Sequence, residues 1–280
     1  MPTLKSINYL KSNIQNICNM YQDGYSSNEI SEILQISSSS IKKILKLNKI
    51  IIRDSGKSHK IYNCDDSIFK TLDSNEKAYW IGFLQADATI NKGRLVLALS
   101  SKDKLHLEKF KSFIKSNSPI HEYKQIMGKK SIVKNKEKEY FYVYLGVSSK
   151  EMIQDLSKYD IVPNKTFKTN FGINIPDEFM GSYMAGLLDG DGFVTICNNK
   201  ITLGFLGNSN TAIDYQKYLL NKLPNLSNNK IILHANMKNK SIRFSGKQVL
   251  DIGKFLYSNT KDYLPRKRDK ILNFFQKNIF

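Results

Sequence analysis

Residues 182–194, SYMAGLLDGDGFV, constrain the fold more than any other stretch. Met184, Leu187 and Leu188 recur at helical spacing. So do Gly186 and Gly190, four apart on one face with Ala185 beside them. A helix whose contact face lacks side chains packs backbone-close against a second helix. The stretch ends in Asp189-Gly190-Asp191-Gly192, and Gly192 is expected to take the left-handed conformation that stops a helix. Asp191 then sits at a helix carboxyl end, where the dipole disfavours an anion by about 0.3–1 kcal/mol. An acid so placed calls for a compensating cation.

The chain carries a second copy. Tyr79 to Ile90, YWIGFLQADATI, repeats the pattern with Gly82 and Ala86 as the small pair and Asp87 as the terminal acid. Enough chain separates Asp87 from Asp191 for one small α/β unit per copy. Two helices with matching bare faces, each ending in an acid, bring those acids together. Carboxylates side by side repel, and one takes up a proton unless a metal sits between them. The simplest reading is a divalent-metal site on the axis of a pseudo-twofold protein. An EF-hand loop is excluded, because Phe193 stands where a third oxygen ligand is required and no glutamate closes the loop. A single glycine-rich helix would serve only packing and capping, whereas two copies at domain-like spacing argue for a shared site.

These two stretches resemble the paired motifs of the single-chain LAGLIDADG homing endonucleases, over about residues 75 to 280. The resemblance implies an α+β fold: two pseudo-symmetric αββαββα units forming a DNA-binding saddle. In that family the final acid of each motif binds the catalytic magnesium ions. This carries over to Asp87 and Asp191, with Mn²⁺ expected to substitute. MAGLLDGDG matches almost fully. WIGFLQADA departs at Gln85, replacing an acid that does not bind metal, and at Ala88, replacing the closing glycine. If that last position is left-handed, Ala costs roughly 1 kcal/mol relative to Gly. Pro163-Asn164-Lys165 and Pro265-Arg266-Lys267 align at nearly the motif spacing. A family lysine near this place lies beside the scissile phosphate or its ordered water, which implies catalytic roles for Lys165 and Lys267. Lys102 and Asn210, after the second strand of each unit, are candidates for ordering water.

Charge agrees. Across 280 residues, 43 Lys and Arg against 25 Asp and Glu give a formal net charge of +18, which points to a polyanion, most simply nucleic acid. A membrane surface would attract it too. However, the sequence has no run of about 18 apolar residues for a span and no apolar block for a signal peptide. Cys18, Cys64 and Cys197 are odd in number and far apart, which argues for a reducing, intracellular compartment and against a zinc cluster. His59, His106, His121 and His234 are scattered, and no histidine-based nuclease motif is visible.

Residues 1–54 read as a small all-α domain. Ile14, Ile17, Cys18 and Tyr21 make one stripe, and Ser26 with Glu29 forms a capping box ahead of Ile30, Ile33 and Leu34. A third helix turns Ile41, Ile44, Leu45 and Leu47 inward and offers Ser39, Ser40, Lys42, Lys43 and Lys46 outward. Helix, brief turn, polar-basic helix resembles the helix-turn-helix, whose last helix enters the major groove. A plain three-helix packing module is the alternative. Residues 55–75 show no sustained period and read as a linker; units over 76–178 and 179–280 follow.

In the first unit, period two takes over after Asp87. A hairpin turns at Asn91-Lys92-Gly93, a helix covers Lys104 to Lys115, and a second hairpin has its lysine-rich tip at Gly128 to Glu139. Its return strand alternates Tyr140, Tyr142 and Tyr144, offered to DNA, with Phe141, Val143 and Leu145, expected in the core. A helix over Lys150 to Tyr159 closes the unit. The second unit repeats the order, with hairpins about Asn198-Asn199 and between Lys230–His234 and Ser241–Phe244. Arg94, Arg243 and Arg266 are the DNA-binding candidates among the few arginines.

The function expected is site-specific double-strand DNA cleavage by a monomer serving intron mobility, Mg²⁺-dependent and leaving short 3′ overhangs. The alternatives are a catalytically inactive DNA-binding regulator and a maturase binding structured intron RNA.

Overall fold

The computed structural model describes residues 13–23, 25–52, 62–91, 93–127, 138–165, 168–227, 232–233 and 239–277. Two compact units, Met1–Ile61 and Tyr62–Phe280, divide the chain. Among the described residues no helix is long and apolar enough to cross a membrane.

The smaller unit has three helices: α1 (Ile14–Gln22), α2 (Ser27–Leu34) and α3 (Ser38–Leu47). The capping box forms as read: the Glu29 amide donates to Ser26 Oγ at 3.2 Å and the Ser26 amide to Glu29 Oε2 at 2.7 Å. Ile17, Cys18, Tyr21, Ile30, Ile36, Ile41, Ile44 and Leu45 form the core. Leu47, expected inward, is 74% exposed. It lies two residues past Leu45, about 200° around the helix and off the stripe.

In the larger unit the order αββαββα occurs twice. The first copy comprises α4 (Asn75–Asp87), β1 (Ala88–Asn91), β2 (Arg94–Ser100), α5 (Lys104–Phe113), β3 (Ile120–Met127), β4 (Lys138–Val147) and α6 (Lys150–Ser157). The second comprises α7 (Met180–Asp191), β5 (Gly192–Cys197), β6 (Lys200–Asn208), α8 (Ser209–Lys222), β7 (Ile232–Leu233), β8 (Asn239–Ser245) and α9 (Lys247–Tyr257), followed by α10 (Pro265–Lys277). Each copy builds one antiparallel four-stranded sheet, ordered β1-β2-β4-β3 and β5-β6-β8-β7. Leu95, Leu97, Leu99, Val143 and Leu145 of the first sheet are buried, as are Ile201, Leu203, Phe205, Ile242 and Phe244 of the second. The fold is α+β, as expected. The β5–β6 hairpin turns on Asn198 and Asn199, both at positive φ (48° and 54°), the conformation a two-residue hairpin loop needs.

Helices α4 and α7 pair at the centre through their glycines. A Cβ built on Gly82 would lie 2.0 Å from the Tyr183 carbonyl oxygen, and one on Gly186 would lie 2.0 Å from the Tyr79 oxygen. Each glycine thus admits the other helix's backbone at the equivalent place. Near the helix ends, a Cβ on Gly190 would stand 2.3 Å from Ala86 Cβ.

Several expectations are corrected. Gly192 is extended (φ −92°, ψ 173°) rather than left-handed, because α7 runs directly into β5. The residue is bare for space: a Cβ there would meet Leu188 Cδ1 and O, each at 2.4 Å. Ala88 is likewise extended (φ −78°, ψ 153°) and carries no left-handed cost. The stretch read as a linker is packed from residue 62 onward. Phe69 is fully buried, the Asp65 amide donates to Ile114 O at 2.8 Å, and the Asn63 amide donates to Asn117 Oδ1 at 2.6 Å. Residues 53–61 lie outside the described residues. So do 128–137 of the lysine-rich tip and Lys92, Lys230 and His234 of the hairpins. Phe141, expected in the core, is 55% exposed, while Val143 and Leu145 further along β4 are buried.

Substituting Gly82 or Gly186 by alanine forces a methyl onto a helix backbone that cannot yield locally. The expected loss is at least the 1–3 kcal/mol typical of overpacking, lowering Tm by roughly 2–4 °C per kcal/mol in a chain of this size. Thermal melting checks it; an unchanged Tm would mean that the two helices do not meet at these glycines.

Candidate active site at the meeting of two helix ends

The glycine contact brings the carboxyl ends of α4 and α7 side by side. Asp87 is the last residue of one and Asp191 the last of the other. Asp87 is half-buried, with its Cγ and Oδ2 only 3.5 Å from where a Gly190 Cβ would be. Burial and then the Asp191 charge push the Asp87 pKa up to about 6, against the opposing charges of Lys267, Lys165 and Arg266. Asp191 keeps a solvent-facing surface, although the surrounding protein desolvates its carboxylate enough to raise its pKa, opposed by Lys165 and Lys267.

The two expected lysines are both here, bonded to main chain. Lys165 Nζ donates to Ala86 O at 3.0 Å, at the end of α4. Lys267 Nζ donates to three terminal carbonyls of α7: Leu188 at 2.8 Å, Asp189 at 2.5 Å and Gly190 at 3.2 Å. Each thereby satisfies carbonyls that a helix end leaves unpaired and places a cation where the dipole favours one. Their settings differ. Lys267 is 2% exposed, and burial depresses its pKa to about 8 despite the nearby Asp189; Lys165 is half-buried. Lys165, Asp191, Ala86, Thr169, Asn208 and Thr211 line a cavity of about 290 Å³.

Beneath the acids lies a buried polar layer that sequence reading missed. Asp189 is fully buried and accepts from Tyr79 Oη (2.7 Å), Tyr257 Oη (2.7 Å) and the Leu264 amide (2.8 Å). Burial raises its pKa, opposed by Lys267, the Leu264 amide and the two tyrosines. Gln85 holds the equivalent place in the first motif. Its Oε1 accepts from Tyr183 Oη, and its Nε2 donates to Tyr159 O (3.0 Å) and Asn170 O (3.3 Å). Tyr79 and Tyr183 sit at matching positions of the two motifs, the one signal that could have pointed here. His106 Nε2 lies 3.0 Å from Tyr79 Oη; as that hydroxyl donates to Asp189, the ring is the donor at Nε2. Burial holds its pKa down at about 3, so the imidazole is neutral.

Other candidates are spread more widely. Arg266 Nε donates to both Asp103 oxygens, at 2.9 and 3.1 Å, so this arginine is engaged at the edge of the site. Lys102 and Asn210 are exposed, in a 3₁₀ turn and the first turn of α8, and Asn208 faces the cavity instead. Arg94 lies flat across Gly146 of the neighbouring strand, donating to its carbonyl at 3.2 Å. In the second sheet, bare Gly204 makes room for the Phe193 ring, and the Arg243 guanidinium stands 5.6 Å from that ring. Tyr142 stacks on Tyr123 and Tyr144 on His121, while Tyr140 is half-buried near the strand start. In the smaller unit Ser39, Lys42, Lys43 and Lys46 are exposed and Ser40 is half-buried; both serine hydroxyls bond to Ser37 Oγ at the α3 cap.

The donor set fits magnesium. Among the described residues no group of three or more His, Cys, Asp or Glu converges on a metal position, which leaves the pair Asp87 and Asp191. Magnesium is typically held by one or two carboxylates plus water and substrate phosphate, and two carboxylates are what the two helix ends present.

No family model matches the sequence, and no curated protein matches it. Among solved structures, the chain is similar to the homing endonuclease I-WcaI bound to its DNA recognition sequence, at 16% identity and a TM-score of 0.48, covering 81% of this chain and 97% of that one. It is similar to the I-LtrWI LAGLIDADG homing endonuclease bound to target DNA, at 14% identity and 0.41, covering 76% and 91%. It is also similar to full-length DUF199/WhiA from Thermatoga maritima, at 15% identity and 0.42, covering 77% of this chain and 66% of that one. At such scores the likenesses are distant and carry no weight for activity.

The burial of Asp87, with the Asp191 charge beside it, gives a pH signature in metal-free protein. Asp87 has a folded pKa of about 6, above its unfolded value. Its protonated form is the one folding favours, so stability is present below about pH 4 and lost as pH rises through about 6. Asp87→Asn is therefore expected to melt higher than the parent at pH 7.5 in EDTA, with the gap shrinking toward pH 4. Calorimetric melting at several pH values reads it. A gap independent of pH would show that burial and the neighbouring charge do not raise the Asp87 pKa on folding.

Proposed function

We propose that the chain is a site-specific double-strand DNA endonuclease of the LAGLIDADG homing kind. The observation that carries this is the convergence of Asp87 and Asp191 at the ends of two helices locked together by glycine. Two carboxylates of raised pKa beside one buried and one half-buried cation suit binding of Mg²⁺, with Mn²⁺ as a substitute. When bound, the metal supplies Lewis-acid stabilisation of the phosphate and a more acidic water.

The reaction is hydrolysis. A water oxygen bonds to phosphorus, the P–O3′ bond breaks, and the 3′ oxygen leaves with a proton. The 5′ phosphate releases its remaining proton to solvent. Asp87 and Asp191 would hold the metal, and a lysine ammonium would lend positive charge as negative charge gathers on the phosphoryl oxygens. The open sheet faces, carrying Arg94, Arg243 and the Tyr142–Tyr123 and Tyr144–His121 stacks, suit groove contacts, since a major groove admits a two-stranded ribbon. Helix α3 acts as the recognition helix of a helix-turn-helix, with Lys42 and Lys46 to phosphates and Ser39, Ser40 and Lys43 to base edges. The chain works as a monomer in a reducing compartment and leaves short 3′ overhangs.

A catalytically silent DNA-binding regulator would draw support from the departures at Gln85 and Ala88. Both are accommodated without harm to the acids: Ala88 is extended, and Gln85 has its amide fully bonded. Asp87→Asn and Asp191→Asn are each expected to keep DNA binding and lose cleavage by at least about 10²-fold. A cleavage selection on a randomised duplex library with Mg²⁺, followed by gel-shift binding, measures both. Cutting by both variants would overturn the assignment of the acids.

A further inference from the structure

The two lysines occupy matching sequence positions but do not have the same protons to give. Lys267 is almost wholly enclosed, and an ammonium has three N–H donors; all three are directed at the Leu188, Asp189 and Gly190 carbonyls. Nothing remains for a phosphate. Lys165 spends one donor on Ala86 O and lines the cavity shared with Asp191. The residue beside Lys267 is committed as well, since Arg266 is held by both oxygens of Asp103, itself buried.

We infer that the two halves of the site are chemically unequal: Lys165 contacts the scissile phosphate of one strand, whereas Lys267 is a helix cap with no substrate contact. This rests on the nuclease reading. Its consequence is an order of events. The strand seated on the Lys165 side is cut first, the other follows more slowly without a lysine, and nicked duplex accumulates between the two steps. The same asymmetry makes Lys165 the amine that solvent reaches and DNA covers.

Two measurements on the full chain test it. The first does not depend on cleavage: native protein is acetylated with an N-hydroxysuccinimide ester, with and without a mixed-sequence duplex at low ionic strength. Peptide mass spectrometry then reads each amine. Lys165 is expected to react and to be protected several-fold by DNA, and Lys267 to react only after denaturation. Native labelling of Lys267 as fast as Lys165 would overturn the proposal. The second follows each end-labelled strand of a selected target. Lys165→Met is expected to slow the first nick about 10²-fold, the scale for losing one donor to a developing oxyanion. Lys267→Met is expected to lower Tm while keeping the order of nicking. Equal rates on the two strands of the parent enzyme would also overturn it. A chain that cuts neither strand, yet shows the labelling difference, would refute the nuclease reading and leave the unequal lysines standing.

Discussion

Glycine against carbonyl at the α4–α7 crossing sets the distance from which everything else in the larger unit follows. With no Cβ on Gly82 or Gly186, each helix lays its backbone on the other, and the helices are still side by side when they end. Their carboxyl ends are then adjacent, with the negative poles of two dipoles and two aspartates together. Each dipole alone opposes its acid by about 0.3–1 kcal/mol. Burial of Asp87 and then the charge of Asp191 add to this, and the Asp87 pKa rises to about 6. The fold answers with lysines bonded to the terminal carbonyls, not to the acids. That choice matters: an ion pair would occupy the carboxylate oxygens, whereas a capped carbonyl leaves them open.

The buried layer follows from the same choice. A lysine enclosed as Lys267 is needs a counter-charge, because an unpaired ion out of water costs several kcal/mol. Asp189 supplies it, and three donors in turn satisfy Asp189. In the other half Lys165 reaches solvent and makes no such demand. The matching residue is the neutral Gln85, whose amide bonds two carbonyls and accepts from Tyr183. What reads in the sequence as decay of the first motif is thus the neutral partner of a more exposed lysine.

The sequence carried the motif helices, both terminal acids, the hairpin order and the capping box, because each is written in local spacing: small residues four apart, alternation of two, Ser three before Glu. It misled at Gly192 and Ala88, since a helix can stop by passing straight into a strand as well as by a left-handed turn. Residues 62–74 read as linker because Ile68, Phe69 and Leu72 have no repeat; only contact with the core shows that Phe69 is fully buried. The Tyr79–Asp189–Tyr257 layer spans three distant stretches and has no local signal beyond tyrosines at matching motif positions. Lys165 and Lys267 were legible as a pair, yet their difference was not, because burial is a property of what surrounds a residue.

Charge closes the argument. A chain at +18 draws a polyanion, but the site at which the proposed function would cleave it holds two carboxylates. A phosphate brought to Asp87 and Asp191 would add a third negative charge to a pair that already repels. Lys267 cannot turn to meet it while it holds three carbonyls, and Arg266 is held by Asp103. Lys165 offers one charge, short of what three anions need. On the proposed nuclease reading, a divalent cation entering with the phosphate would restore the balance, and metal and DNA would fill this site together.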